Sequence, residues 1–548
     1  MAMEAGRAGA RGIGWLAWLL LAAAWFATLQ ARPMLDPDEG RYAEIPREMV
    51  VTGNWLTPRL NDLKYFEKPP LQYWATAALY SVFGLSEWTS RLWTVGLAFA
   101  CLPMVFAWTR RLYGPNAALA ALVTLAVSPY FGVIGHLDLL DAGFTFWLTG
   151  AVFAFTLAQS SAEGSQTERR WMLLAWLAAA LAILSKGIVV GVLTGASLIV
   201  YSLIERDLRP WRRLHVMLGL PLFLLVGAPW FVAVSLRNPD FPGFFFIHEH
   251  FARFLTTVHQ RVEPWWFFLP FLLFGMLPWI FSVVGACRQA WRAGDPSTQQ
   301  FKPLRFLLVF SGVTLLFFSA SGSKLAPYIL PLFPPLAVVV GFHVGERREA
   351  FLRQVQIIGS ILVVLLAIGM LVHSILHNSF VPHQAITWVA AAVVAPMIGL
   401  LTVWARRNRS EIVPAVAVAA TFTLAWQCFM TAYSVIPPLR SAHDLVAAAR
   451  PYIHPQTALY SVGQYRETIS PYLQRTLTIV QFRGELEFGM NAEPGRQEAS
   501  TTEFVTRWNA SADAVAFFGP QLWDEYRQKG LPGRVIAADH YTVAVSRT

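Results

Sequence analysis

The stretch "WLAWLLLAAAWFATLQARPMLDPDEGRYAEIPREM", Trp15 to Met49, decides the fold. It closes an apolar run that starts near residue 12 and is long enough to cross a bilayer as a helix. It then places Asp36, Asp38 and Glu39 within four residues of one another. Runs of similar length recur along most of the 548 residues, which are 55% hydrophobic and 14% charged. A soluble domain carries about a quarter charged residues. The class is a polytopic α-helical membrane protein. The basic N-terminus before the apolar run resembles a signal peptide. The run leads straight into the acidic segment, however, so an uncleaved first span is expected.

Spans are expected at about 12–30, 90–112, 115–134, 140–160, 170–186, 187–204, 214–236, 265–287, 303–321, 327–343, 355–376, 386–404 and 412–434, about thirteen transmembrane helices by length. Basic clusters "ERR" (168–170), "ERDLRPWRR" (205–213), "RQAWR" (288–292), "ERREAFLR" (346–353) and "RRNR" (406–409) fall at alternate connections after Arg110 and Arg111. Lys and Arg concentrate in cytoplasmic loops, so the N-terminus is expected in the cytoplasm. The net charge of +10 has the same origin. No basic face with interleaved aromatics points to nucleic acid. The three cysteines, Cys101, Cys287 and Cys428, lie inside apolar runs and form no disulfide framework,.

"LQYWATAALYSVFG" (71–84) is apolar but too short to span, and counting it as a span would invert the charge pattern,. It is expected to be an interfacial helix on the outer face, as is "FPGFFFIHEHFARFL" (241–255),. The domain plan is therefore a transmembrane domain over 1–434, with outer interfacial helices at about 36–85 and 240–263, and an outer α/β domain over 435–548. In the last segment "ALYSVG", "LTIVQF", "AVAFFG" and "YTVAVSR" read as strands,. "YRETISPYLQR", "TEFVTRWNA" and "QLWDEYRQKG" read as helices,. Neither a dinucleotide-binding nor a P-loop signature is present, and there is no Ser-His-Asp order,.

The unusual polar residues fall on the outer side: "DPDEGRYAE" (36–44), "KYFEKPP" (64–70), "HLDLLD" (136–141), "SKG" (185–187), "HEHFARF" (248–254) and "SGSKLAPY" (321–328). Ionisable groups at membrane depth are costly unless they face a cavity or a partner. Six such loops suggest one shared cavity. Asp38, between Pro37 and Gly40, is the sharpest candidate, with Arg41 in support; Asp36 is read as an N-cap of the helix that follows,. Asp141, with Asp138 and His136, forms a second acidic group, for which a helix cap is the alternative. Lys68, Arg253, Lys186 and Lys324, with Tyr65, are candidates for gripping a phosphate,. The alternative for each lysine and arginine is snorkelling to lipid headgroups. Tyr328 is a donor contact or an interfacial anchor,. Glu67 and His248 are two candidate ligands for a divalent metal such as Zn, fewer than a metal site needs,. No cofactor is required by the reading.

"DPDEGRYAEIPREM", "FEKPPLQYW", "LDLLD" and "SKLAPYILP" resemble the bacterial lipid A 4-amino-4-deoxy-L-arabinose (aminoarabinose) transferases. These belong with the dolichyl-phosphate-mannose–protein mannosyltransferase-like enzymes of the GT-C class. The resemblance covers the whole chain. It implies a GT-C fold in the bacterial inner membrane with a C-terminal periplasmic domain. It also implies an undecaprenyl phosphate-linked aminoarabinose donor, a lipid A phosphate acceptor, inversion at C1, and resistance to cationic peptides such as polymyxin. The motifs are less specific for the sugar, and a polyprenyl-phosphate glycosyltransferase with another sugar or acceptor is the alternative. A lipid-binding transporter or flippase is the alternative of another class. Transporters place charges mid-span between broken helices of paired halves, and here the charges cluster at one face.

Overall fold

Each expected span is largely helical among the described residues. The computed structural model describes residues 15–252, 263–294, 301–376, 382–406, 412–437 and 440–547. Among them, 8 helices are long and apolar enough to cross a membrane, or 9 if one bent pair is a single span. The expected segments outnumber these for identifiable reasons. Helix Glu87–Val127 contains two of them, broken at Gly114 (φ 86°, ψ 177°) ahead of Pro115. Helix Gln166–Lys186 carries four charged residues. Trp15–Ala31 and Val189–Glu205 are apolar but shorter. The expected span 265–287 is not straight. Helices Phe268–Gly275 and Leu277–Arg292 meet at 75°. Pro278 cannot donate to the hydrogen-bond ladder there,, the Trp279 N–H turns to the Met276 carbonyl, and the carbonyl of Gly275 accepts the Ser128 hydroxyl at 2.8 Å,.

The chain forms two compact units. One comprises residues 1–29, 93–233 and 242–433, and the other 30–92, 234–241 and 434–548. In the first, helix Leu140–Gln159 is central, with 78% of its apolar window buried, against 17% for Val216–Arg237. The latter turns Leu218, Leu225, Val232 and Leu236 outward, as a lipid-facing helix does,.

The second unit shows that compactness does not follow a boundary at residue 434. It holds helix Asp38–Thr52, helix Leu71–Phe83 and a hairpin of β1 (Arg59–Leu60) and β2 (Leu63–Lys64). Asn61 and Asp62 turn the hairpin at φ 54° and 61°, conformations that Asn and Asp tolerate. It also holds a six-stranded sheet: β3 (Ala458–Val462), β4 (Thr478–Val480), β5 (Glu498–Ala499), β6 (Ala514–Phe518), β7 (Arg534–Ala538) and β8 (Val543–Ser546). The order is β5-β4-β3-β6-β8-β7, with β5, β4, β3 and β6 parallel and β8 antiparallel to both neighbours. The four strands and three helices expected from the sequence are all present; β5 and β7 are additional.

Specific polar contacts tie the 30–92 segment to this sheet. The Asn61 side chain exchanges two hydrogen bonds with the Leu477 backbone, at 2.8 and 2.7 Å. Arg59 donates to both oxygens of Glu493, and Arg496 to both oxygens of Asp62. Such bidentate pairs fix orientation as well as distance. Gly40, on helix Asp38–Thr52, lets the backbone of Glu467 and Thr468 approach so closely that a Cβ there would sit 2.5 Å from it. We expect Gly40→Ala to force that contact apart and cost about 1–3 kcal/mol. The check is a lower thermal unfolding midpoint of the detergent-solubilised protein; an unchanged midpoint would mean that the approach is not constrained.

Candidate functional site

Helix Asp38–Thr52 begins at Pro37 with no side-chain cap. Asp36 is therefore not the N-cap that its position suggests. It is drawn instead to the C-terminal fold: Thr468 donates to Oδ1 through its backbone N–H (2.9 Å) and its hydroxyl (2.7 Å), and Arg466 Nε donates to Oδ2 at 3.0 Å. Glu39 is committed elsewhere. It accepts Arg91 through Nε at 2.8 Å and Nη2 at 2.7 Å, and the Leu35 N–H at 3.0 Å. Of the three acids at this edge, Asp38 alone stays open. Its side chain is 43% exposed and accepts from Arg41 Nη1 at 3.1 Å.

Arg41 is buried and spans two carboxylates. Its Nη1 meets Asp38 and its Nη2 makes a very short ion pair with Glu485 Oε2. The Tyr42 and Tyr65 rings each lie 5.9 Å from the guanidinium. Burial alone would lower its pKa; Glu485, Tyr65 and Asp38 outweigh that and hold it above the ordinary value. Burial, with Glu67 and Glu485 nearby, pushes the Tyr65 phenol up, so it stays protonated. Its hydroxyl has no partner among the described residues. Lys68 donates to the Glu67 carbonyl at 2.9 Å and lies 3.9 Å from the Glu67 carboxylate.

Asp141, Lys186 and Tyr328 come together in the helical unit. Lys186 ends helix Gln166–Lys186, where a cation complements the helix dipole,. Gly187, at φ 87°, turns the chain immediately after it. Asp141 lies in the first turn of helix Leu140–Gln159, but no side chain caps that helix. Asp141 makes a very short ion pair with Lys186, whose ammonium stands 4.5 Å above the Tyr328 ring. Phe318 packs on Tyr328 at 5.2 Å. Asp138 is fully buried, with the Thr94 hydroxyl 3.4 Å from Oδ1. His136 is also buried, its ring nitrogens facing the carbonyls of Gly132 and Trp25. Lys324 donates to the Ser321 and Glu263 carbonyls at 2.7 and 2.9 Å, so here it pins its own loop.

Arg253 lies outside the described residues. His248 Nδ1 faces Glu249 Oε1 at 3.3 Å and its ring stacks on Phe244. Among the described residues no three His, Cys, Asp or Glu side chains gather as a metal site. Neither Glu67 nor His248 thus belongs to such a group among the described residues. Glu485 was not legible as a site residue, because it lies far along the chain in a region without a motif.

Asp36 and Asp38 should separate by experiment. Breaking a buried ion pair costs about 3–5 kcal/mol, and Asp36, largely but not fully buried and multiply bonded, should approach the lower end,. Asp36→Ala is therefore expected to lower the unfolding midpoint sharply, and Asp38→Asn to leave it near that of the unsubstituted protein. Equal losses would remove the distinction.

Comparison with known proteins agrees with this architecture. Residues 17–245 match the family model for dolichyl-phosphate-mannose-protein mannosyltransferase, and residues 445–547 that for the aminoarabinose transferase C-terminal domain. An undecaprenyl phosphate-alpha-4-amino-4-deoxy-L-arabinose arabinosyl transferase of Erwinia tasmaniensis is 35% identical over 331 residues, 59% of this chain and 58% of that protein. A relative of the same name from Aeromonas hydrophila is 36% identical over 315 residues, 57% of this chain and 56% of its own length. The match thus spans less than three fifths of these curated relatives. The crystal structure of ArnT from Cupriavidus metallidurans bound to undecaprenyl phosphate superposes with a TM-score of 0.86 at 32% identity, covering 98% of both chains. With its apolar helices, this is a multi-pass membrane protein, and the end-to-end likeness assigns it to a family: the chain belongs to the aminoarabinose transferases, membrane glycosyltransferases of the GT-C class.

Proposed function

We propose that this protein transfers 4-amino-4-deoxy-L-arabinose from undecaprenyl phosphate to a lipid A phosphate, with inversion at C1. The observation that carries this reading is the state of Asp38, a half-exposed carboxylate steadied by one guanidinium hydrogen bond. A relative alike over 98% of its length is described as bound to undecaprenyl phosphate, which supports a lipid-linked donor. In the proposed setting the N-terminus is cytoplasmic, residues 435–548 lie in the periplasm of a bacterial inner membrane, and the modified lipid A confers resistance to polymyxin.

The reaction is a displacement. An acceptor phosphate oxygen forms a bond to C1, and the bond from C1 to the donor phosphate breaks. The electron pair leaves with undecaprenyl phosphate. A phosphate monoester has a second pKa near 6 and is largely dianionic at neutral pH, so the acceptor needs no strong base. Asp38 instead stabilises the positive charge that develops at the oxocarbenium-like centre, or orients the sugar's ammonium. Lys68, Arg253 and Lys186 receive the charge that builds on the leaving phosphate. Lys186 is already held by Asp141 and the Tyr328 ring. An arriving phosphate can share it with Asp141 without a large rearrangement.

The purified protein, given undecaprenyl phosphate-linked aminosugar and lipid A, should form modified lipid A. Asp38→Asn should lose most turnover at normal expression. Lys68→Ala and Arg253→Ala should weaken undecaprenyl phosphate binding by about 1.5–3 kcal/mol each. Near-normal transfer by Asp38→Asn would sink the role given to Asp38. Unchanged lipid affinity in both cation variants would show that those side chains only snorkel.

A further inference from the structure

We propose that Glu485 and Glu467, in the C-terminal α/β fold, are positioning residues for the transfer: together they hold Arg41 so that it touches one oxygen of Asp38 and leaves the other for substrate. This rests on the catalytic role of Asp38 proposed above.

The geometry of Arg41 is the starting point. A guanidinium is a planar fork, and beside a lone carboxylate it tends to close on both oxygens. Here the fork is divided. Nη1 reaches Asp38 at 3.1 Å, while Nη2 is drawn to Glu485. Glu485 is mostly buried and Asp38 is 43% exposed, so the firmer attachment is to Glu485,. Without that second anion the fork can swing onto Asp38 and occupy the oxygen that the reaction needs.

Glu467 completes the arrangement. Its backbone packs against Gly40, one residue before Arg41, and its buried side chain interacts electrostatically with Glu485. Glu485 Oε1 is buried and accepts no hydrogen bond from the donors among the described residues. A proton on Glu467 satisfies that oxygen. Two adjacent buried carboxyls cannot both ionise readily. Burial, and then Glu485, hold the Glu467 carboxyl well above its ordinary value, although Arg41 opposes the shift; Asp36 adds to it. The groups facing Glu467 are thus Glu485, Arg41 and Asp36, with Tyr465, itself kept neutral by burial, close by in the chain. With Glu467 neutral, Glu485 is a single anion and its pull on Arg41 is balanced by Asp38. Loss of the proton at higher pH adds a second anion and draws Arg41 away from Asp38.

The linkage sign follows. A carboxyl whose pKa is raised in the folded state binds its proton more tightly there than in the unfolded chain. The stability it contributes is present at low pH and is lost as pH rises from the ordinary carboxyl value through the folded value. Glu467→Gln keeps a neutral donor and removes that loss.

The test uses the full-length protein in detergent, with undecaprenyl phosphate-linked aminosugar and lipid A, across neutral to alkaline pH. Glu485→Gln and Glu467→Ala are expected to lower kcat about tenfold or more while changing the donor KM little, because they act on a group engaged in the transition state. Glu467→Gln should recover most of what Glu467→Ala loses and flatten the alkaline fall in kcat. Its unfolding midpoint should gain on that of the unsubstituted protein as pH rises. Unchanged kcat in folded Glu485→Gln would overturn the proposal. So would a Glu467→Gln alkaline limb identical to that of the unsubstituted protein, which decides the matter if Glu485→Gln does not fold. Asp38→Asn, run alongside, separates the two failures. If it transfers normally, the catalytic reading falls; if it is inactive while the glutamate variants behave normally, only the positioning role falls.

Discussion

Arg41 is buried, permanently charged and shared between two carboxylates that lie far apart in the chain. A buried guanidinium is tolerated only when its charge is met, and what meets it fixes its direction. Here Glu485 meets it from within the C-terminal fold, and Asp38 meets it where solvent can enter. That division leaves Asp38 oriented by one hydrogen bond and half open. The neighbouring acids lack this freedom because Arg466 with Thr468, and Arg91, have claimed them.

The 30–92 segment and the C-terminal residues consequently behave as one folded body. Asn61, Arg59, Asp62 and Asp36 each find their partners in the stretch 466–496. Gly40 removes the one side chain that would keep the two backbones apart. A sheet with a parallel centre, whose β6 residues are all buried, provides a stiff base for these contacts. Rigid support of this kind is what the role proposed for Asp38 requires, since small misplacements of a catalytic group cost much of the rate.

Much of this was legible in the sequence, for reasons that can be named. Span lengths follow from bilayer thickness, and the Gly114–Pro115 break is written in two residues that cannot continue a helix,. The strands of the C-terminal fold show as short apolar runs between turn residues. Asp38 stands out as a candidate because an acid between Pro37 and Gly40 at an expected membrane edge has few bland explanations. Its separation from Asp36 was not legible: both acids have the same local context, and only Arg466 and Thr468, some 430 residues away, tell them apart. The partners of Lys324 were hidden for a similar reason, since they are backbone carbonyls, which carry no sequence signature. Pro278 marked a place where span 265–287 could bend, but a proline in a membrane helix does not fix the angle.

The central claim is that an aminosugar moves from a polyprenyl phosphate to a lipid A phosphate. Mass spectrometry of lipid A from bacteria with and without this protein tests it most directly. The account predicts a species heavier by one aminoarabinose residue on a lipid A phosphate, present with the protein and absent without it. A lipid A spectrum that does not change while the intact protein accumulates in the membrane would contradict it.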